Sequence, residues 1–379
     1  MENLTHSLVG LTAAKAGLER LSPGATALCL LAANAPDSDI VVLAFGDRWS
    51  LLEHHRGITH SIAGVIGLAL ILPLIFYAVD RLWSRFKNQP PRVKLKGLLI
   101  ASFITSATHP LLDWTNSYGI RFLLPWNPKW FYGDLVFIAD PYMWLILGGA
   151  LFLLSARTTS GKILWALVAA TLTFLLASSS LSRSLPNLRL LVVLWILTLG
   201  ALIVLFAKGA RERWGSRIAF VSFALVLVYC GMLAFAHSKA LTRGNEDAEH
   251  IARANGETVA RLAAMPTAAN PFQWDCVFET DRATYRFSVR LVGRQAVSLD
   301  FVRYQKPPLD LKEAVSQQRP ARIFLGFARF PVMQLADPDC VTQTLVQLAD
   351  LRYTEPGASR GTFALEVPID CPNERTAAR

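Results

Sequence analysis

The sequence predicts an α-helical polytopic membrane bundle followed by a smaller, soluble, β-rich (α+β) domain at the C-terminal end. Three observations carry this reading. Of 379 residues, 53% are hydrophobic and only 17% charged, too apolar for an ordinary soluble chain of this length. Apolar runs long enough to cross a hydrocarbon layer of about 30 Å recur along the chain and stop near Ser238. Beyond that point charges mix with short segments such as TYRFSVRLV and RIFLGFARF, which have the period-two pattern of half-buried strands.

The chain opens with two short apolar segments, LTHSLVGLTAAKAGLERL and ATALCLLAANAPDSDIVV. They read as short membrane helices joined by the turn RLSPGA, with helices lying on the membrane surface as the bland alternative. Met1 is followed by Glu2 rather than a basic region, so no signal peptide is expected. Longer spans follow at 62–79, 97–112, 135–154, 163–181, 188–207 and 218–236. A charged helical connector is expected over 238–271, ending at Pro271, with the β-rich domain over 272–379. The bundle itself divides into 1–155, which carries the polar motifs, and the additional spans of 156–237.

A net charge of +10 raises nucleic acid as a partner. The cations, however, sit in short loops between spans, above all Arg81, Arg85, Lys87, Arg92, Lys94 and Lys96, then Lys208, Arg211, Arg213 and Arg217. That distribution is the positive-inside bias of a multi-pass inner (plasma) membrane protein, and it replaces nucleic acid with the lipid bilayer as the partner. It puts those loops in the cytoplasm and the C-terminal domain in the periplasm. The five cysteines include no close pair, which argues against a thiolate metal site. An oxidising compartment would permit one disulfide among Cys276, Cys340 and Cys371, with Cys340 to Cys371 the favoured pairing.

The same alternation brings His6, Asp37, Asp39, His55, His60, His109 and Asp113 to one membrane face, with Asp134 and Asp140 at the same level. Neutral imidazoles and carboxylates suit a divalent ion of the zinc or manganese type. His109 and Asp113 are spaced i to i+4, which puts them on one helical face. Simpler roles exist for several of these residues. A lone histidine such as His6 is commonly a satisfied polar residue in a helix, Asp134 or Asp140 can cap a helix, and the PDSD stretch can be an exposed turn. Against this, ionisable groups at the edge of spans are costly and usually functional. His237 and His250 fall outside the cluster and receive no role.

The motifs LTHSLVG, AANAPDSDIV, HRGITHS, THPLLDWTNSYGIRFLLPW and GDLVFIADP, in this order and spacing, resemble the YdjM family of bacterial inner-membrane proteins, described as membrane-bound metal-dependent hydrolases. The resemblance covers roughly 1–155. It implies a metal site of His6, Asp37, Asp39, His55, His60, His109 and Asp113, with Arg56, Thr59, Asn116, Ser117 and Tyr118 as polar neighbours that bind substrate. His54 stands outside the family pattern. With a divalent metal bound, zinc first and manganese second, Asp37 or Asp39 would orient the nucleophile, and the fork of donors on Arg56 would hold a phosphate or carboxylate. A site at headgroup depth suggests a lipid or lipid-linked phosphoester as substrate. Two other classes stand beside this one. A transporter would need ionisable groups deep in the later spans, which have almost none, whereas a structural or sensor protein would use the metal only to hold helices together.

Overall fold

The computed structural model describes residues 1–181, 188–293, 300–337, 343–358 and 363–370. Its contacts divide into two units. The first holds Met1–Ser38, Arg56–Phe235 and Pro266–Pro271, and the second holds Asp39–His55, Ala236–Met265 and Phe272–Arg379.

The first unit is helical. α1 (Asn3–Ala16) starts where the Glu2 carboxylate accepts from the Thr5 amide, an N-cap interaction. α2 (Ala25–Asn34) runs into a stretch of 3-10 helix, Ala35–Ala44. α1 and α2 touch at Gly10, where a Cβ would lie 2.6 Å from the Cys29 carbonyl oxygen, so only glycine allows this approach. α3 (Arg48–His54) belongs to the second unit; the first resumes with a 3-10 turn at Ile58–His60, α4 (Ile62–Phe86) and α5 (Leu95–Trp114). Leu28 and Cys29 of α2 pack on Leu98 and Ala101 of α5. α6 (Pro141–Ser155), α7 (Thr159–Leu181), α8 (Leu188–Ala207), α9 (Ala210–Trp214) and α10 (Arg217–Ala254) complete the helices of the bundle.

Among the described residues, five helices are long and apolar enough to cross a membrane: Ala25–Ala44, Ile62–Phe86, Leu95–Trp114, Thr159–Ser178 and Arg217–Ala254. Pro141–Ser155 and Leu191–Ala207 are shorter apolar helices. Their burial is that of membrane helices. α4 turns Val65, Ala69 and Pro73 inward, spaced every fourth residue, and exposes Ile66, Leu70, Ile71, Leu74 and Ile75. In water that face would be unfavourable by about 25 cal/mol per Å², whereas acyl chains solvate it. α6 begins at Pro141 rather than near residue 135, because Asp140 accepts from the Tyr142 and Met143 amides and caps it. Leu135 and Val136 instead donate their amides to the Thr115 carbonyl.

The second unit carries the β-structure. β1 (Val259–Thr267), β2 (Asn270–Thr280), β3 (Ala283–Arg290) and β4 (Phe301–Gln305) form one sheet in sequence order. Then come α11 (Leu309–Ser316) and α12 (Arg319–Phe327), and β5 (Pro331–Leu335), β6 (Gln343–Asp350) and β7 (Ala364–Asp370) make a second sheet. The C-terminal half of α10 lays Ala240, Ala248, Ile251 and Ala252 on Trp274, Cys276, Phe278, Tyr285 and Phe287 of the first sheet.

Two local expectations fail here. The connector expected to be helical over 238–271 is helical only to Ala254, and Val259–Thr267 pairs into the first sheet as β1. Most of RIFLGFARF, expected as a strand, lies in α12, where Ala321, Phe324 and Phe327 at spacings of three face the core. Pro320 sits in its first turn, where proline favours a helix start. Cys276 is a buried free thiol, and Cys340 and Cys371 lie outside the described residues.

Glu257 shows how this unit responds to acid. It is buried and accepts from Thr280 Oγ1 at 2.6 Å, Tyr285 Oη at 2.9 Å and Arg303 Nη2 at 2.6 Å. Burial alone would raise its pKa, but these three donors outweigh burial and hold it below the ordinary glutamate value. The unfolded chain keeps the ordinary value, about 4.3. Stability from this carboxylate is therefore complete above that pH and is lost as pH falls through the lowered folded value. Glu257→Gln in the full-length protein is expected to flatten the acid limb of hydrogen-exchange protection in 259–290, at a cost of about 2 kcal/mol near neutral pH. An unchanged acid limb would refute the assignment.

Candidate metal centre

The stretch HHRGITHSIAG is accounted for almost residue by residue. Arg56 adopts a left-handed backbone, φ 52°, a conformation that costs a non-glycine residue about 1 kcal/mol or more and needs compensation. The compensation is its guanidinium, which turns inward to Asp113. Ile58–His60 forms one 3-10 turn, and Ser61 caps α4 by accepting from the Gly64 amide. A Cβ at Gly64 would lie 1.8 Å from the Ile58 carbonyl oxygen. The turn is thus pressed directly against the start of α4, and His60 has little freedom.

α5 supplies the facing residues. Ser102, Ser106, His109 and Asp113 recur at spacings of three and four, and all are buried. Pro110 lies inside the helix and has no amide proton for the Ser106 carbonyl. His109 Nδ1 lies 2.7 Å from the Ala33 carbonyl oxygen. A carbonyl only accepts, so Nδ1 bears the proton and Nε2 offers its lone pair to the cluster. Thr59 Oγ1 stands 3.1 Å from His60 Nδ1 and can orient that ring in the same way.

Four side chains converge. His60 Nε2 is 3.1 Å from His109 Nε2, 3.2 Å from Asp37 Oδ1 and 3.3 Å from Asp113 Oδ2. His109 Nε2 is 3.5 Å from Asp37 Oδ1 and 3.3 Å from Asp113 Oδ2. One donor atom from each of Asp37, His60, His109 and Asp113 lies within 4.8 Å of all the others, so the cluster could hold a metal ion. His6, from α1, stacks on His109 with ring centroids 3.7 Å apart and puts Nε2 3.4 Å from Asp113 Oδ1. Its Nδ1 is buried with no hydrogen-bond partner. A cation fits this donor set: two histidine nitrogens and two carboxylates meet at distances where lone pairs would otherwise repel. His60, His109 and Asp113 are almost fully enclosed, whereas the Asp37 side chain keeps 15% exposure and marks the edge of the cluster.

Asp113 is also held from behind. Arg56 Nη2 lies 3.0 Å from its Oδ1, and Arg56 Nη1 donates to Asn116 Oδ1 at 2.8 Å, to the Gly119 carbonyl at 3.2 Å and to the Asp113 carbonyl at 3.3 Å. The Tyr118 ring lies under the guanidinium at 4.6 Å. The Met1 amino group bonds the same carboxylate. Arg56 is 2% exposed. Asn116 and Tyr118 therefore surround the arginine, and Thr59 supports His60.

The remaining expected site residues make contacts of their own. Asp39 and His55 belong to the second unit and pair at 3.1 Å through His55 Nδ1. His54 Nδ1 bonds the Ser50 carbonyl, and His237 stacks on Trp274. Asp140 is a cap that also accepts from Tyr229 at 2.7 Å. Sequence reading passed over Ser102 and Ser106, although their spacing from His109 and Asp113 already placed them on the same helical face. Their hydroxyls, like that of Thr12 on α1, are buried without a hydrogen-bond partner.

Comparison with known proteins agrees with the resemblance. The model of the YdjM inner membrane protein family matches residues 1–184. The chain is similar to "Uncharacterized protein YfhP" of Bacillus subtilis, 27% identical over 155 residues, covering 38% of this chain and 43% of that protein. It is also similar to "Inner membrane protein YbcI" of Escherichia coli, 27% identical over 135 residues, covering 34% of this chain and 65% of that protein. The chain thus spans less than two thirds of either relative. No solved structure matches. The family match and the five apolar helices support a multi-pass inner-membrane protein.

Proposed function

We propose, taking the YdjM match over 1–184 as the premise, that the protein is a membrane-embedded metal-dependent hydrolase acting on a lipid or lipid-linked phosphoester. The observation that carries this reading is the convergence of Asp37, His60, His109 and Asp113 at the edge of the apolar bundle, with Asp37 the partly exposed member. These four residues would hold a divalent ion, zinc first and manganese second, with His6 supporting them. Such an ion supplies Lewis-acid charge to a phosphoryl oxygen and makes water more acidic.

The chain's own groups do the rest. Asp37, at the edge, would hold the ion through Oδ1 and orient a water with its second carboxylate oxygen. Thr59 and the Ala33 carbonyl fix the two imidazoles. We assign Arg56 to positioning Asp113 rather than to substrate, since both of its terminal nitrogens bond groups inside the protein. The carboxylate of Asp39 on His55 Nδ1 is the arrangement that frees Nε2 to ligate, so His55 stays a candidate ligand with Asp39 as its support. Asn116, Ser117 and Tyr118 act through the loop around Arg56.

The test is turnover by detergent-purified, metal-loaded protein on phosphomonoester, phosphodiester and phospholipid panels. We expect activity that depends on added zinc or manganese and falls about 100-fold or more in Asp37→Asn. Bound metal with no turnover on any panel would favour a metal-stabilised scaffold. The enclosure of Arg56 and three of the four donors supports that second reading.

We also place the C-terminal domain in the periplasm, on the strength of the basic loops. Alkaline phosphatase fused at Arg379 should be active and β-galactosidase inactive. The opposite pair of results would reverse the orientation.

A further inference from the structure

We infer that the bundle holds a specific site for one acyl chain of an anionic phospholipid, in a slot on the side of α1 opposite the metal cluster. The inference does not depend on hydrolase activity.

The slot is a cavity of ≈ 220 Å³ lined by α1, α6, α7 and α8. Leu4 and Leu8 of α1 line it, while His6, two residues from Leu4, stacks on His109 of α5; side chains two apart on a helix point to opposite sides. Lining positions run from Lys162 to Leu172 on α7, which is about 15 Å at 1.5 Å per residue. On α6 they run from Trp144 to Phe152, about 12 Å. The result is a long slot parallel to the helices rather than a round pocket.

Its walls are chemically selective. Trp144, Trp165 and Trp195 face it, yet each indole N–H is already used inside the protein: Trp144 donates to Glu2 at 2.7 Å, Trp165 to Ser155 at 2.9 Å and Trp195 to Thr173 at 2.9 Å. The tryptophans therefore offer the slot only carbon surface. Among the described residues, Lys162 is the one charged member of the lining, and its ammonium lies 5.5 Å from the Phe206 ring. A polar solute would find no partners along the walls, whereas a hydrocarbon chain would find hydrocarbon. A phosphate at the Lys162 end would meet a cation at the basic side of the bundle, as in other lipid headgroup sites between helices. Lipid tails are as apolar as these walls, so a bound chain is held by close packing along the slot rather than by transfer from water, and the Lys162 contact with the headgroup adds to it. Together these are expected to retain the lipid through detergent exchange. Gly148 supplies the room: a Cβ there meets nothing within 4 Å.

The experiment is native mass spectrometry of the full-length protein after repeated detergent exchange. Wild type should retain one anionic phospholipid, Gly148→Phe should lose at least about nine-tenths of it, and Lys162→Gln should keep a lipid but lose the preference for anionic headgroups. Leu70→Phe, on the exposed face of α4, should retain lipid as wild type does. A second measurement needs no slot variant: brominated phosphatidylglycerol should quench tryptophan fluorescence saturably, near one equivalent, and more strongly than brominated phosphatidylcholine. Wild type without retained lipid, unsaturable quenching, full retention in Gly148→Phe, or equal loss in Leu70→Phe would overturn the inference.

Discussion

His109→Ala is expected to lower metal affinity by about 100-fold or more, since altering even the outer partners of ligands commonly costs 10 to 100-fold. His109 joins every other part of the cluster. Its Nδ1 is tied to the Ala33 carbonyl at 2.7 Å, its Nε2 faces His60, Asp37 and Asp113 between 3.1 and 3.5 Å, and its ring stacks on His6. Truncation removes one donor and leaves His60 without its neighbour. Asp37→Ala and His60→Ala should behave similarly, and His250→Ala should keep full metal content because His250 lies outside the cluster. Elemental analysis of protein dialysed against buffered zinc and manganese provides the measurement, with circular dichroism to confirm that the helices remain. Unchanged metal content in all three cluster variants would remove the basis for both the hydrolase and the scaffold readings.

The cluster was legible in the sequence because the membrane simplifies the geometry. Once charged loops assign the two sides, every residue near a span end is placed at a known depth, so His6, Asp37, His60, His109 and Asp113 could be brought together from separate segments. Depth does not give azimuth. Asp140 shares the level of the cluster but faces its own helix start and Tyr229. The sequence likewise showed that Arg56 had suitable chemistry but not which way it points, which depends on its positive φ and on the loop 116–119. In the tail, tertiary packing decided what periodicity left ambiguous. The aromatic run within α12 satisfies a strand pattern over a few residues, yet Ala321, Phe324 and Phe327 bury a helical face. The charged connector turned to strand at Val259 because its second half pairs with β2.

Arg56→Ala is expected to destabilise the metal-free protein by about 3–5 kcal/mol, the usual consequence of leaving a buried charge without its partner. The Asp113 side chain is 1% exposed and Arg56 2%, so water cannot replace the guanidinium cheaply. The backbone carbonyls of Asp113 and Gly119 and the Asn116 oxygen would lose the same donor. Arg56→Lys should recover only part of the loss, because one ammonium cannot reproduce the fork that reaches Asp113 and Asn116 together. A divalent ion at the cluster would neutralise Asp113 from its other side, and a ligand that binds only the folded state adds stability in proportion to its occupancy. The deficit in thermal midpoint between Arg56→Ala and wild type should therefore narrow when zinc or manganese is added. A substrate-binding arginine predicts the reverse pattern, with an unaltered midpoint and metal content but lost turnover. Melting curves with and without metal, run beside the turnover assay, separate the two: a wild-type midpoint in metal-free Arg56→Ala would reject the positioning role and return Arg56 to the substrate.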